Sequence, residues 1–261
     1  MKLSLDIISD TNETLFSAQG TGFLQFDMLN TPFRLGDRFV ITSSDKITEL
    51  EILLDTSLGV SRVLLTDGHL EFPIPFDKRR RAYPPAAFGG NRLWGYIRAL
   101  DPRERRNYRN LSLNTYDLPG QTSVFPHAST NSGTADERFM ARNAIDGVTQ
   151  TRLHGEWPYA SWGINGRRDA WIQIDFGCMV EADELRVFSR ADFPHDSWWD
   201  KAEAIASDGR SRTLALEKTG APQTFGLGGG PLSWIRIQNL HQGEPGKFPA
   251  LSQVQVWGRS L

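Results

Sequence analysis

The fold class is decided by the stretch VLLTDGHLEFPI, residues 63–74. Apolar side chains recur at every second position on both sides of the pair Asp67-Gly68. Such alternation is typical of a strand with one buried face, and Asp-Gly between two alternating runs is typical of a tight hairpin turn. The stretch therefore predicts two antiparallel strands joined by a hairpin.

The same alternation extends through the first part of the chain. It occurs at Leu24, Phe26 and Met28 and at Leu50, Ile52 and Leu54, and the segment Trp94–Arg98 is also predicted to be a strand. No segment before residue 80 has helical periodicity over three turns, while residues 78–92 break the pattern and predict a long loop. Residues 1–118 are therefore predicted to form a β-rich domain, a sandwich.

A second β-rich region follows the linker-like segment Leu118-Pro119-Gly120-Gln121. Its alternating positions are Ile172, Ile174 and Phe176, Leu185 and Val187, Ile235 and Ile237, and Val254 and Val256. Short strands separated by Gly, Pro and Asp turns are typical of a sandwich. The sequence thus predicts an all-β protein with two β-sandwich domains in tandem, residues 1–118 and 119–261.

Composition and charge exclude several classes of protein. The chain has 261 residues, 29 Lys and Arg against 31 Asp and Glu, and a net charge of −2, so nucleic acid is not an expected partner. The single cysteine, Cys178, cannot form an internal disulfide or a cysteine-rich zinc site. No apolar run has the ~18 residues of a membrane span, so no membrane partner is expected. Acidic residues in Met1–Asp10 predict a cytoplasmic chain, or an extracellular one if a leader has been removed.

Four motifs occur in order within the second region: ARNAIDG at 141–147 followed by Thr151, WIQIDFG at 171–177, SDG at 207–209, and LSQVQVWG at 251–258. With these motifs the region resembles the F5/8 type C, or discoidin-like, domain, which also occurs as bacterial family 32 carbohydrate-binding modules. The resemblance implies a galactose-binding-like jelly roll with ligand-binding loops at one end. It also implies a protein that binds its ligand without catalysis.

The resemblance implies a structural calcium ion at the first of these motifs. Calcium binds 6–8 oxygens, many of them backbone carbonyls, and a tight turn at Asp146 concentrates such oxygens. The implied ligands are the side chains of Asp146 and Thr151 and the carbonyls near Asn143 and Val148. Family members usually complete the site with a glutamate near the chain end, and that position is Gln253 here.

Two predicted loops, residues 154–162 and 190–199, combine aromatic with polar side chains. Aromatic faces cover the apolar face of a sugar ring, and Arg, His and Asp form directional hydrogen bonds with its hydroxyls. The candidate sugar-binding residues are His154, Trp157, Arg190, Asp192, His195, Asp196, Trp198 and Trp199. The asparagine of the sugar-binding family members falls at Ser197, which departs from the usual galactose-type site.

One segment has a charge opposite to that of the whole chain. Residues 78–110 contain ten Lys and Arg and two acidic residues, a local net charge of +8. The segment is either a solvated basic face or a surface for an acidic partner, which makes a protein-interaction scaffold one alternative function.

Known catalytic motifs are missing from the sequence. There is no HExxH, no Gly-x-Ser-x-Gly and no phosphate-binding loop. The carboxylates Glu156, Asp192, Asp196 and Asp200 keep a glycan-active enzyme, with its site between the domains, as a second alternative. The sequence favours a non-catalytic carbohydrate-binding protein that takes a monosaccharide or a glycan end.

Overall fold

The computed structural model describes residues 1–30, 32–191, 197–243 and 248–261. The strands of the first domain are β1 (Lys2–Ile8), β2 (Thr14–Thr21), β3 (Phe23–Leu29), β4 (Arg38–Ser43), β5 (Thr48–Leu53), β6 (Ser61–Leu65), β7 (His69–Pro73) and β8 (Arg92–Ala99). Two short strands follow, β9 (Arg109–Asn110) and β10 (Val124–Phe125). The strands of the second domain are β11 (His127–Thr130), β12 (Trp162–Gly163), β13 (Ile172–Ser189), β14 (Trp199–Ala206), β15 (Ser211–Ala215), β16 (Gln223–Gly226), β17 (Pro231–Gln242) and β18 (Ala250–Ser260).

Helical structure in the described residues is limited to short pieces. One α-helical turn, α1, spans Pro102–Arg105, and 3-10 turns span Arg79–Ala82, Glu137–Phe139 and Ala141–Ala144. Within the described ranges, no helix has the length and apolar character needed to cross a membrane. The prediction of an all-β protein with two sandwich domains is confirmed.

The first domain packs two antiparallel sheets face to face. One sheet has the strand order β2-β1-β4-β7 and the other β10-β6-β5-β8-β3. The predicted alternation fills the space between them, because Leu24, Phe26 and Met28 of β3 are buried while their neighbours in the strand are exposed. Each sheet therefore presents one apolar face to a shared core, as period-2 patterning requires.

The predicted hairpin at Asp67-Gly68 is wrong, although both of its strands exist. β6 pairs with β5 and β10, whereas β7 pairs with β4 in the opposite sheet. The Asp67-Gly68 turn carries the chain across the sandwich, and the Gly68 carbonyl accepts a hydrogen bond from Ser43 N at 2.8 Å. Alternation identifies a strand with one buried face, but it does not identify the strand's partner.

In the second domain the long strand β13 belongs to both layers of the sandwich. Its first part, Ile172–Asp175, pairs with β11 and β17, and its last part pairs with β16 and β18. The register shifts after Asp175, around Gly177, whose φ of +71° is a backbone conformation that favours glycine. This bend lets one strand join two layers, and Arg190 follows directly at its end.

Around the predicted boundary the chain crosses between the domains. β9 pairs with β18 of the second domain, but β10, further along the chain, pairs with β6 of the first. Between them Tyr116 is buried in the first core and donates its hydroxyl to the Gly59 carbonyl at 3.2 Å. Residues on both sides of position 118 thus contribute to both domains.

Candidate functional site

A cavity of about 290 Å³ lies where the end of β13 meets the start of β18 and the strand β12. Two of the predicted sugar-binding residues, His154 and Arg190, line it together, with Phe139, Asn165 and Phe248 beside them. We call this space the Arg190 cavity. Its volume is close to the lower end of the ~300–1,000 Å³ that is usual for small-molecule pockets, so it can take a ligand of about one sugar ring.

Arg190 is held firmly in the wall of this cavity. Its backbone N donates to the Ala250 carbonyl at 2.9 Å, and its guanidinium Nη2 donates to the Phe248 carbonyl at 2.7 Å. The residue is only 4% exposed. A hydrogen bond from a charged donor to a main-chain carbonyl is stronger than one from a neutral donor, so it holds the two groups in place more firmly. Arg190 thus ties the segment before β18 to the end of β13.

The aromatic surfaces of the Arg190 cavity come from two phenylalanines that sequence reasoning missed. Phe248 is 62% exposed, an unusual position for a phenyl ring, and Phe139 is half-buried. A Cβ at Gly163 would lie 3.3 Å from the Phe139 Cβ, so glycine allows β12 to approach this ring. The signal for Phe248 was present in the sequence, because it is an aromatic residue in a Gly- and Pro-rich segment between strands.

A tight turn places a polar side chain at the rim. Asn165 and Gly166 have φ values of +50° and +75°, and Arg167 N closes the turn on the Ile164 carbonyl at 2.9 Å. Asparagine tolerates this left-handed conformation better than most residues. The turn leaves Asn165 exposed beside the cavity, where its amide can exchange water for sugar hydroxyls.

An adjoining cavity of about 470 Å³ continues past Phe248 and shares Ile164 and Pro249 with the first. It reaches Arg168, which is exposed, and His241, whose Nδ1 lies 2.6 Å from Asp200 Oδ1. The exposed Phe248 residue therefore lines both cavities. Together the two cavities form a groove along this surface.

Trp157 does not join His154 in the Arg190 cavity. It is half-buried at the junction of the domains, where its backbone N donates to the Arg81 carbonyl at 2.7 Å. It lines a cavity of about 70 Å³ together with Tyr83 and Asp146. That volume is far below the ~300 Å³ lower end for ligand pockets, so this space is too small for a sugar.

The remaining predicted sugar-binding residues have different environments. Trp199 is 1% exposed and packs on Trp162 in the second core, with 5.8 Å between ring centroids. Trp198 is half-buried, and Lys218 Nζ lies 5.0 Å from its ring centroid. Asp192, His195 and Asp196 lie outside the described residues. Of the eight predicted residues, the structure brings His154 and Arg190 together in the Arg190 cavity.

The residues of the predicted calcium turn lie close together. Asp146 Oδ1 accepts hydrogen bonds from Val148 N at 2.8 Å and from Gln253 Nε2 at 2.6 Å. Thr151 Oγ1 is directed elsewhere and donates to the Gly220 carbonyl at 3.4 Å. Although Asp146 as a whole is half-buried, its carboxylate faces the buried Gln253, and this desolvation raises its pKa to about 7. A single carboxylate is a weak attraction for a dication, and an amide stands where a second carboxylate is usual, so the donor set fits calcium poorly.

Much of the basic segment is neutralised by acidic residues within the chain. Arg98 contacts Glu51 at 2.8 Å and Glu104 at 2.7 Å, and the Arg98 hydrogen bond lowers the pKa of Glu104 to about 2. Further ion pairs are Arg79–Glu137, Arg81–Glu156 and Arg105–Glu49. The four acidic partners outside the segment, Glu49, Glu51, Glu137 and Glu156, thus offset half of its local charge of +8. An acidic partner for residues 78–110 stays a prediction.

No protein-family model and no curated protein matches the chain. Among solved structures, the chain is similar to a Streptococcus pneumoniae fucose-binding module, with 16% identity and a TM-score of 0.43 over 57% of this chain and 96% of that one. For the lectin domain of lectinolysin complexed with Lewis B antigen, the identity is 14% and the TM-score 0.44, over 59% of this chain and 98% of that one.

A third similar structure is the family 32 carbohydrate-binding module of C. perfringens NanJ in complex with galactose, with 18% identity and a TM-score of 0.36 over 50% of this chain and 91% of that one. The strand order of the second domain and the core that its strands enclose establish its fold. Fold and cavity together define a β-sandwich with a groove among its loops.

Proposed function

We propose that the protein is a non-catalytic carbohydrate-binding protein that holds a glycan in the Arg190 cavity. The observation that carries the proposal is the meeting of His154, Arg190 and an exposed Phe248 ring around one cavity. These side chains come from separate parts of the chain. Arg190 and Phe248 meet because the end of β13 lies beside the start of β18.

The mixture of side chains suits a sugar better than an apolar ligand. A pyranose has an apolar face of C–H groups and an edge of hydroxyls. The Phe248 ring can cover the face, since aromatic rings attract such groups through their quadrupole. His154, Arg190 and Asn165 line the same space and supply donors and acceptors for the hydroxyls.

The exposure of Phe248 is itself an argument for a ligand. A phenylalanine that is 62% exposed gives up much of the ~2 kcal/mol that full burial of its side chain contributes. Nearby, the Arg190 guanidinium fixes the Phe248 carbonyl at 2.7 Å, so the main chain below this ring is held in place. A fixed and exposed aromatic ring beside buried polar groups is a typical ligand platform.

The proposal is tested by removing that ring. A glycan array with the labelled protein first identifies the ligand, and titration calorimetry then gives Kd for wild type and for Phe248→Ala. We expect a wild-type Kd on the order of millimolar to micromolar for a small sugar. Phe248→Ala should weaken binding about 5- to 10-fold, because loss of an aromatic contact costs on the order of 1–1.5 kcal/mol.

Phe23 provides a matched control within the chain. It is 49% exposed on β3 of the first domain, so Phe23→Ala removes a similarly exposed ring away from the groove. This variant should keep the wild-type affinity, and both variants should keep the wild-type melting temperature. An array without any bound glycan, or equal affinity in the Phe248 variant and wild type, would contradict the proposal.

A further inference from the structure

A buried side-chain amide lies at the turn where the family resemblance places a cation. Gln253 is 0% exposed and projects from β18 onto the turn. Its Nε2 donates to the Asn143 carbonyl at 2.9 Å and to Asp146 Oδ1 at 2.6 Å. Both acceptors are oxygens that the resemblance implies as calcium ligands.

The orientation of this amide is fixed by its partners. Gln253 Oε1 accepts a hydrogen bond from Gly147 N at 3.3 Å, opposite the two oxygens that face Nε2. An amide rotated by 180° would place its oxygen against a carbonyl and a carboxylate, and its NH₂ against an N–H group. Such a rotation would exchange three attractive contacts for three repulsive ones. The positive end of the amide dipole therefore faces the turn oxygens.

The other members of the turn have partners that draw them away from a metal. Asn143 Nδ2 donates to the Glu137 carbonyl at 2.8 Å, and its main-chain carbonyl accepts from Gln253 Nε2. Thr151 Oγ1 donates to the Gly220 carbonyl. In the part of the chain that the structure describes, no group of three His, Cys, Asp or Glu residues could hold a metal ion. Calcium needs 6–8 oxygens and usually several charged ones.

We propose that the Gln253 amide replaces the structural calcium ion of this fold. The two N–H groups of Nε2 satisfy the oxygens of Asn143 and Asp146 that a cation would otherwise bind. A neutral amide forms hydrogen bonds with both oxygens without a second carboxylate. The turn is therefore held by side-chain hydrogen bonds within the protein. The segment that leads from this turn to His154 is then positioned without metal.

The first arm of the test uses the wild-type chain. Elemental analysis of purified protein should give far less than one calcium per chain. The melting temperature should be the same in EDTA and in millimolar calcium, because a ligand that stabilises the folded state would raise it. Stoichiometric calcium, or a melting temperature several degrees higher with calcium, would overturn the proposal.

The second arm of the test introduces a second carboxylate at the turn. Gln253→Glu restores a second carboxylate beside Asp146, so the variant should melt several degrees below wild type in EDTA and recover as calcium is added. Gln255→Glu makes the same chemical change two residues along β18, where Gln255 Oε1 accepts from Trp257 Nε1 at 3.1 Å. This control should show no calcium response.

A third variant separates the amide from the mere volume of the side chain. Gln253→Leu keeps the size but leaves the Asn143 and Asp146 oxygens without their donor, so its melting temperature should fall and stay low with calcium. A Gln253→Leu variant as stable as wild type would overturn the proposal, as would a folded Gln253→Glu variant that ignores calcium. This inference concerns the fold of the second domain and does not depend on glycan binding.

Discussion

The variant Arg190→Lys tests whether Arg190 holds the binding surface in place or only contacts the sugar. Arg190 is buried, and its Nη2 donates to the Phe248 carbonyl at 2.7 Å. Lysine keeps the charge but has a single ammonium group in place of the planar guanidinium. It therefore cannot donate to the Phe248 carbonyl and also pack in the cavity wall as arginine does. We expect the variant to lose part of its stability and to release the main chain under Phe248.

The size of the effect follows from the lost hydrogen bond. A hydrogen bond from a charged donor contributes about 1.5–3 kcal/mol when it is intact. If the loss leaves the Phe248 segment mostly unfixed, a glycan must restore its position at that cost. Because a glycan can also bind without the ring, the loss is limited to what the ring contributes, so the affinity of Arg190→Lys should fall by about the 5- to 10-fold expected for Phe248→Ala.

A double-mutant cycle shows whether Arg190 acts through Phe248. Titration calorimetry gives Kd for Arg190→Lys, for Phe248→Ala and for the double variant. If the arginine works by placing the ring, the double variant should bind no more weakly than the weaker single variant, since coupled residues are not additive. Fully additive losses of binding free energy would refute this reasoning and make Arg190 a direct sugar contact only.

Arg109 provides the control for a lost arginine fork. It is half-buried at the far end of β18, donating to the Arg105 carbonyl at 2.9 Å and to Ser260 Oγ at 3.0 Å. Arg109→Lys should lower the melting temperature and leave the glycan Kd unchanged. A loss of affinity in this variant would mean that general destabilisation, and not the groove, explains the Arg190 result.

Two further predictions follow from burial and charge. Trp199→Ala should lower the free energy of unfolding by about 3–5 kcal/mol in urea titrations, because its ring is 1% exposed. A loss of about 0.5 kcal/mol or less, as for a surface substitution, would contradict its place in the core. Glu104→Gln should lower the melting temperature at pH 7, because the Arg98 hydrogen bond lowers the pKa of Glu104 from 4.5 to about 2. A lowered pKa contributes stability that is present above pH 4.5 and is lost as the pH falls through about 2. The melting temperatures of wild type and Glu104→Gln should therefore converge in acid. A difference between them that does not change with pH would refute this prediction.

The strands of both domains could be predicted from the sequence because alternation is a local signal. Leu24 and Phe26 of β3 are buried as predicted, and so are Val254 and Val256 of β18. The partner of a strand is not a local property. The Asp67-Gly68 turn therefore gave a false hairpin, since the sheet that β7 joins is set by its contacts with β4.

The candidate site could be predicted only in part for a similar reason. His154 and Arg190 were identified because polar residues in turn-rich segments point to a ligand site. Trp199 fell in the same segment, yet its ring packs on Trp162, and an aromatic residue next to a strand can face either side of it. Phe248, like the tryptophans, is an aromatic residue in a turn-rich segment. Only the structure shows that β13 and β18 bring Phe248 beside Arg190.

The basic segment of the first domain has a structural use that bears on the groove. Its first turn contacts the segment of the second domain that leads to His154: the Arg81 carbonyl accepts from Trp157 N at 2.7 Å, and the Arg142 guanidinium stacks 4.3 Å from the Tyr83 ring centroid. Trp157 lies three residues after His154 in the chain, so this hydrogen bond ties the segment next to the Arg190 cavity to the first domain. The charge that suggests an acidic partner in the sequence is thus spread in part over the junction between the domains. The first domain therefore contacts the segment that leads to the Arg190 cavity, and a test of the proposed glycan binding should use the whole chain.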